Sequence, residues 1–137
     1  MPSLISVIVT TYNWPKALKA SLASLLAQSD TQFEILIADD GSGSETKELI
    51  DSFVSNSQHI HIRHIYHEDR GFRAGAIRNK SVAAASGDYL IFLDGDCVVL
   101  PSFIQHHRQL AERGYFVPGN RVLLFESYTQ LVLNQSI

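Results

Sequence analysis

Short apolar segments alternate with longer segments of helical character along most of this chain. The short segments are rich in β-branched or aromatic residues and are predicted to be strands at residues 4–9, 33–38, 62–66 and 89–93. The longer segments are predicted to be helices at residues 15–28, 44–54, 72–86 and 101–114, and a further strand is predicted at 115–125. This alternation predicts an α/β fold, with a mostly parallel sheet, helices on both faces and right-handed crossovers.

A polar cluster directly follows three of the predicted strands. The clusters are TTYN at residues 10–13, DDGS at 39–42 and DGDC at 94–97. Because ligands bind beyond the carboxyl ends of the strands in such sheets, the three clusters are expected to gather along one edge. That edge would carry four carboxylates, and like charges so close together require a positive partner. The four are Asp39, Asp40, Asp94 and Asp96.

The positive partner is expected to include a divalent metal ion. Asp94 and Asp96 offer hard oxygen ligands, which favour Mn²⁺ or Mg²⁺ over zinc, and Gly95 between them leaves room for a ligand to approach. The loop and helix that precede this pair add four basic residues, Arg70, Arg73, Arg78 and Lys80. An edge with separate acidic and basic sets suits a metal together with an anion, and a diphosphate fits that description.

Several other classes of ligand and location are disfavoured. The net charge of −3 gives no reason to expect a nucleic acid or an anionic membrane as the main partner. The sequence has neither G-x-G-x-x-G after its first strand nor a P-loop, which disfavours NAD enzymes and P-loop NTPases. Cys97 is the only cysteine, and no apolar run approaches the ~20 residues that cross a bilayer. The expected location is the cytoplasm, including the cytoplasmic face of a membrane.

The first two polar clusters suit the base of a nucleotide. Tyr12 offers an aromatic platform beside Thr10 and the amide of Asn13. Asp40 in the second cluster can accept a hydrogen bond from a ring N–H. An aromatic platform combined with one carboxylate acceptor suits a pyrimidine such as uracil.

Taken in order, the motifs resemble those of the family-two glycosyltransferases. The matching stretches are VIVTTYNWP, ILIADDGS and RGFRAGAIRNKSVAAASGDYLIFLDGDC, which cover roughly the first hundred residues. The resemblance implies the Rossmann-like GT-A fold and a nucleotide-sugar donor, usually a UDP-sugar. It also implies a divalent cation at the D-x-D acids and inversion at the anomeric carbon of the sugar.

The resemblance also implies roles for individual residues. Thr10 and Tyr12 would contact the nucleoside and Asp40 the base. Asp94 would face the ribose or the sugar and share the metal with Asp96. Three residues of the basic segment complete the implied site: Arg78 and Asn79 near the ribose and the diphosphate, and Arg73 in the RGFRA loop.

No catalytic base is identified in the sequence. Inversion needs a general base, which the family draws from a downstream acceptor-binding half, and the only acids after Asp96 are Glu112 and Glu126. Neither matches the family motif, so the general base is expected beyond Ile137, the last residue of the sequence.

Residues 1–137 are therefore expected to form the nucleotide-sugar-binding part of a single GT-A domain that is incomplete at its C-terminus, with the acceptor-binding part absent. Such a part would transfer sugar weakly or not at all. The alternative is a non-catalytic module that only binds the nucleotide-sugar. The sequence does not specify whether the acceptor is a glycan or a lipid-linked molecule.

Simpler interpretations exist for three of the motifs. The acid pair could be a tight surface turn after a strand, and DDGS could be a turn that caps the next helix. The basic residues could form a solvated helix face.

The histidines of HIHIRHIYH alternate with apolar residues and are expected on a half-exposed strand, not at a metal. They are His59, His61, His64 and His67.

Overall fold

The computed structural model describes residues 1–135. In that range the chain forms four strands and five helices. Their order is β1 (Ile5–Thr11), α1 (Pro15–Leu26), β2 (Phe33–Asp39), α2 (Ser44–Asn56), β3 (His61–Tyr66), α3 (Ala74–Ala84), β4 (Tyr89–Asp94), α4 (Phe103–Leu110) and α5 (Glu126–Leu133). Each of the first four predicted strands and each predicted helix is therefore present, within a few residues of its expected bounds.

The expected boundary of the donor-binding part at Ile137 lies outside the described residues. The structure therefore does not test the prediction that the general base follows Ile137, and that prediction stays a prediction. The structure does describe both acids that follow Asp96, Glu112 and Glu126.

The four strands form one parallel sheet in the order β3-β2-β1-β4. From β1 the chain first adds β2 and β3 on one side and then returns to add β4 on the other. The strand order thus reverses between β1 and β4, which makes the carboxyl end of this pair a topological switch point, where such sheets bind ligands. The predicted parallel α/β architecture is confirmed.

Helices cover both faces of the sheet, as predicted. One face packs alternate residues of the central strands, including Val7 and Ile35, against Leu22 of α1, Ile50 of α2 and Ile104 of α4. The opposite face packs a smaller cluster from β1, β2 and α3, which consists of Ile8, Leu36, Ala38 and Ile77. Because both faces are buried, β1 and β2 read as continuous apolar runs instead of alternating ones.

Helix α1 shows how the sequence positions an element on the sheet. Pro15 occupies the first turn, where its missing N–H costs nothing. Leu18, Leu22 and Leu25 follow at helical spacing and are fully buried. Burial of a leucine side chain contributes about 1.5–3 kcal/mol, so this stripe fixes which side of α1 faces the sheet.

The side chain of Arg108 connects α4 to the N-terminal segment and to the loop between α1 and β2. Its Nε donates to Asp30 Oδ2 at 2.6 Å, and its other N–H groups donate to the carbonyls of Pro2 and Gln32. The hydrogen bond from Arg108 is the main cause of a lowered pKa at Asp30, and partial burial opposes it. This largely buried pair holds α4 beside the N-terminal segment.

The prediction of a strand at residues 115–125 is wrong. These residues form neither strand nor helix, and α5 begins directly after them at Glu126. Pro118 cannot donate to a ladder and Gly119 weakens a strand, so the middle of the segment resists pairing. Phe116 and Leu123 remain more than four-fifths exposed, at 87% and 82%. The apolar residues at the two ends of the segment therefore do not form a buried strand face among residues 1–135.

Across the described range, none of the helices is long and apolar enough to cross a membrane.

Candidate functional site at the carboxyl edge of the sheet

The first and third polar clusters meet at the switch point. Thr10 and Asp94 are register partners on β1 and β4, and the Thr10 hydroxyl donates to Asp94 Oδ1 at 3.1 Å. The next N–H, from Gly95, donates to the carbonyl of Thr10 at 2.7 Å. A Cβ on Gly95 would lie 2.4 Å from that carbonyl oxygen, so the close approach of the two chain segments requires glycine. The backbone thereby bends between Asp94 and Asp96 as the sequence suggested.

A basic residue lies beside this acid, as expected. Arg78 lies on α3, and its guanidinium is 3.6 Å from Asp94 Oδ1 with both side chains substantially exposed. Asn79 follows it and is exposed. These residues line an open cleft of about 2100 Å³ together with Asp94 and Asp96. Around the acid pair the cleft thus presents Arg78 beside two carboxylates, and its wider lining adds Asp88, Glu112, Arg113 and Arg121.

The acid pair fits a metal ion whose other ligands are phosphate oxygens and waters instead of protein side chains. In residues 1–135 no group of three or more His, Cys, Asp or Glu side chains is arranged to hold an ion. Asp94 and Asp96 can supply two hard oxygens, and Mn²⁺ or Mg²⁺ commonly completes its shell with phosphate oxygens and waters. Burial, followed by the charges of Asp96 and Asp94, raises the pKa of the Cys97 thiol.

Asp39, the first acid of the second cluster, has a structural role. It is 1% exposed, accepts the N–H of Ser42 at 2.9 Å and lies 2.8 Å from His64 Nε2. Burial alone would raise the pKa of Asp39, but its bonds to His64 and Ser42 lower it below the usual value. Asp39 thus holds the turn that the simpler interpretation of DDGS expected, but no side-chain hydrogen bond caps α2, whose N-cap residue is Gly43.

Asp40 is held at three points. Its N–H donates to the carbonyl of Thr11 at 3.1 Å. Its Oδ1 lies 2.5 Å from His67 Nε2, and its Oδ2 accepts the backbone N–H of Arg73 at 2.9 Å. The residue is 5% exposed, so Asp40 is a nearly buried carboxylate of fixed orientation at the base of the edge.

Tyr12 directly follows β1, and its side chain is half-exposed. Its hydroxyl donates to Asp69 Oδ2 at 2.7 Å, and this hydrogen bond, with the charge of Asp69, raises the pKa of the phenol. The next residue, Asn13, has a positive φ of 46°, and its Oδ1 accepts the N–H of Gly43 at 2.8 Å. The turn after β1 is thereby fastened both to the turn after β2 and to the loop after β3.

The loop at residues 67–73 packs tightly on the second turn. Gly41 has φ +97°, and a Cβ there would lie 2.5 Å from the backbone N and Cα of Asp69. Glycine is therefore required at position 41 for two reasons, its left-handed backbone and the contact with the loop. This packing brings His67 and Arg73 to Asp40.

The basic residues of the RGFRA segment do not act as one set. The Arg73 guanidinium donates to the carbonyl of Glu68 at 2.6 Å, and its buried Nε has no acceptor in the part of the chain described here. Lys80 donates to the carbonyl of Tyr66, and Arg70 pairs with the Glu68 carboxylate. Of these basic side chains, Arg78 is the one in contact with the acid pair.

The two histidines at the end of β3 are the contacts that sequence reasoning missed. A half-exposed strand was expected to leave them in solvent, but the side chains of His64 and His67 are only 17% and 14% exposed. The hydrophobic pattern carried no signal for these contacts, because they depend on the parallel register of β2 and β3, which sets Asp39 opposite Tyr66. His64, two residues before Tyr66, and His67, one residue after it, can therefore reach the two acids of the second cluster.

One family profile covers almost the whole chain. The profile described as "Glycosyl transferase family 2" matches residues 6–136. Among individual relatives, the chain is 32% identical over 104 residues to the validoxylamine A glucosyltransferase of Streptomyces hygroscopicus subsp. jinggangensis (strain 5008), covering 74% of this chain and 24% of that protein. It is 34% identical over 109 residues to the hyaluronan synthase of Pasteurella multocida, covering 79% and 11%. The chain thus spans about a quarter or less of these relatives.

Solved structures show the same architecture. The TarS 1–349 fragment from S. aureus superposes with a TM-score of 0.65 at 27% identity, covering 77% of this chain and 31% of that one. A mannosyltransferase from Pyrobaculum calidifontis, in complex with GDP-Man and Mn²⁺, superposes with a TM-score of 0.72 at 20% identity, covering 82% and 33%. At that identity the second likeness concerns the fold alone. The GT-A-like fold expected from the motifs is confirmed.

Proposed function

Because the chain belongs to glycosyltransferase family 2, we propose that it forms the donor-binding part of an enzyme that transfers a sugar from a UDP-sugar with inversion at the anomeric carbon. The observation that carries this proposal is the contact of Thr10 and Arg78 with Asp94 at the switch point. It sets a carboxylate pair and a cation side by side where a diphosphate would bind. TarS has been solved in complex with UDP-GlcNAc and with UDP, which adds support for a uridine donor.

The base and the diphosphate would bind on opposite sides of β1. Asp40 follows β2 and Asp94 ends β4, so the two acids are separated by two strand spacings, about 10 Å. A nucleotide has a planar base at one end and phosphates at the other, and it would cross the end of β1 between them. Tyr12 and Thr10, at that end, would contact the nucleoside in between.

Asp94 and Asp96 would hold the divalent cation, Mn²⁺ or Mg²⁺. Such an ion supplies positive charge that neutralises the departing diphosphate. Arg78 adds a permanent positive charge next to Asp94 Oδ1, the oxygen that Thr10 also contacts, and Asn79 offers an amide in the next position of α3. The chain's own contribution to catalysis would then be orientation of the donor and electrostatic support of the leaving group.

The acceptor side is expected to lie outside the residues that bind the donor. Glu112 and Glu126 are exposed, and although Glu112 lines the same cleft as the acid pair, neither glutamate is hydrogen-bonded to that pair. We therefore assign no catalytic base to residues 1–137, and we propose that the base and the acceptor site belong to a further part of the enzyme, beyond Ile137. The relatives' greater length supports this division.

Titration calorimetry of the chain with UDP, GDP and pyrophosphate, each with Mn²⁺ and with EDTA, tests the donor proposal. We expect UDP to bind more tightly than GDP and more tightly with Mn²⁺ than with EDTA. Asp40→Asn should weaken binding of UDP more than binding of pyrophosphate, while Asp51→Asn on α2 serves as a control with the same charge change. Equal affinity for UDP and GDP would contradict the choice of uracil.

A second measurement separates a catalytic part from a module that only binds. The chain would be incubated with radiolabelled UDP-sugars, Mn²⁺ and a panel of glycan and lipid acceptors. Since a positioned general base contributes ~10²- to 10⁴-fold, we expect donor binding with at most slow hydrolysis. Robust transfer would show that a base lies within these residues, and Glu126 would be the first to substitute.

A further inference from the structure

We infer that His67 is a positioning residue that holds the Asp40 carboxylate in the orientation needed to read a ring N–H of the donor base. The inference rests on the proposed function, in which Asp40 contacts the base, and it assigns a role to a residue outside the sequence motifs. The observation behind it is the 2.5 Å contact between His67 Nε2 and Asp40 Oδ1.

The chemistry of the pair fixes which atom carries the hydrogen. An ionised carboxylate only accepts hydrogen bonds, so His67 Nε2 must donate to Asp40 Oδ1. The same ionised form is the one that can accept from a base. A neutral imidazole that donates through Nε2 is sufficient, and the bond then fixes the tautomer of His67.

The remaining contacts leave Asp40 little freedom. The Arg73 N–H binds the other carboxylate oxygen, and the Asp40 backbone is bonded to Thr11. With one donor on each oxygen, the carboxylate plane is set before a ligand arrives. A ring N–H can then use a remaining lone pair without the cost of ordering the side chain.

The neighbouring pair serves as an internal comparison. His64 makes a similar contact with Asp39, but Asp39 is 1% exposed and also binds the Ser42 N–H within its own turn. Asp39 has no opening toward a ligand, so His64 supports the turn. The side chain of Asp40 retains 8% exposure, and His67 therefore supports a group that a base could still reach.

The test measures recognition of the N–H itself. UDP and its N3-methyl analogue, which lacks the ring N–H, are titrated into the unmodified chain and into His67→Leu, His67→Gln and His61→Leu, all with Mn²⁺. A hydrogen bond to a charged group is worth ~1.5–3 kcal/mol, so we expect the unmodified chain to prefer UDP about 10- to 100-fold. His67→Leu should reduce that preference to about 3-fold or less, while pyrophosphate binding is retained.

The two other variants distinguish positioning from general stability. Gln can donate from its amide, so His67→Gln should keep most of the preference. His61 is exposed at the start of β3, and His61→Leu should keep all of it. If His67→Leu does not fold, His67→Ala replaces it, and added imidazole should restore the preference for UDP.

Each failure has a separate meaning. A full preference for UDP in His67→Leu, or loss in His67→Ala that imidazole does not restore, would overturn the role of His67 and leave the proposed function intact. Equal binding of UDP and its methyl analogue by the unmodified chain would overturn the inference together with the base-reading role of Asp40. No binding of UDP at all would overturn the proposed function itself.

Discussion

The hydroxyl of Thr10 donates to Asp94 Oδ1 at 3.1 Å, although the two residues are 84 positions apart in the chain. The contact joins the first strand to the last at the switch point of the sheet. Because both residues belong to the paired strands, the position of Asp94 is set by sheet register and not by a flexible loop. The proposed metal site therefore has one rigid ligand, Asp94, and one, Asp96, in the turn that follows.

Removal of the Asp96 carboxylate is predicted to abolish the effect of metal on donor binding. With Asp94 as the one remaining carboxylate of the pair, Mn²⁺ would lose a protein ligand and UDP would bind Asp96→Ala about equally with Mn²⁺ and with EDTA. Titration calorimetry measures both affinities, and Asp51→Ala on α2 is the matched control. Equal UDP affinity with Mn²⁺ and EDTA in the unmodified chain would refute a metal-dependent site.

Arg78→Ala is predicted to weaken binding of UDP and of pyrophosphate by about tenfold. A charge-assisted hydrogen bond to phosphate is worth ~1.5–3 kcal/mol, and the partial exposure of Arg78 reduces that value by solvent screening. The matched control is Lys80→Ala, because Lys80 is on the same helix but donates to the Tyr66 carbonyl. A comparable loss in the two variants would indicate a general effect of positive charge and not a contact by Arg78.

Gly41→Ala is predicted to destabilise the fold by about 1–3 kcal/mol. The added Cβ would lie 2.5 Å from backbone atoms of Asp69 in a residue with φ +97°, so either the turn or the loop at 67–73 must move. Urea denaturation measures the free energy of unfolding. Gly75→Ala in α3 is the control, since its Cβ meets none of the described residues within 4 Å, and it is expected to stabilise by roughly 0.5–1 kcal/mol. A neutral effect of Gly41→Ala would contradict the tight packing.

The free energy of unfolding is predicted to decrease as the pH falls below about 5, in part through Glu34. Burial alone would raise the pKa of Glu34, but the Ser86 N–H and the Ser6 hydroxyl hydrogen-bond to it and lower it, with a further contribution from the charge of Arg63. A carboxyl whose folded pKa is lowered stabilises the fold above its unfolded pKa, about 4.3, and that contribution is lost as the pH falls through the folded value.

The variant Glu34→Gln isolates this contribution. It should be less stable than the unmodified chain at pH 7, and its stability should depend less on pH between about 5 and 3. Urea midpoints at several pH values measure both effects. Asp51→Asn on the exposed surface of α2 provides a control for loss of one negative charge. An unchanged pH dependence in Glu34→Gln would show that other carboxyls, such as Asp39, dominate the acid response.

The site residues that the sequence could predict are those at the carboxyl ends of strands. Thr10, Asp40 and Asp94 each follow or end an apolar segment, and a parallel sheet brings such positions to one edge whatever the details of packing. The strand at 115–125 was wrong because apolar residues alone do not supply a neighbouring strand, and Pro118 and Gly119 interrupt the segment. His64 and His67 were missed because their partners depend on the register between β2 and β3, which hydrophobic pattern alone does not fix.

The basic residues around the start of α3 show a second limit of prediction from sequence. Arg73, Arg78 and Lys80 are close in sequence, but Arg73 is the N-cap residue of α3, and Arg78 and Lys80 are two residues apart within it, about 200° around the helix axis. Composition predicts a local positive charge there. It does not predict that Arg73 and Lys80 donate to main-chain carbonyls while Arg78 approaches an acid.

The strand order has a consequence for how the chain folds during synthesis. β1 can pair with β2 early, since Ser6 and Glu34 are 28 residues apart, but its other edge stays open until β4 emerges. At about 5–20 residues per second, a ribosome needs roughly 3 to 11 s to add the residues from the end of β2 to the end of β4. During that interval the open edge of β1 is a template for pairing with other chains. Nascent chains stalled before Asp94 are therefore expected to aggregate more readily than chains that have completed β4.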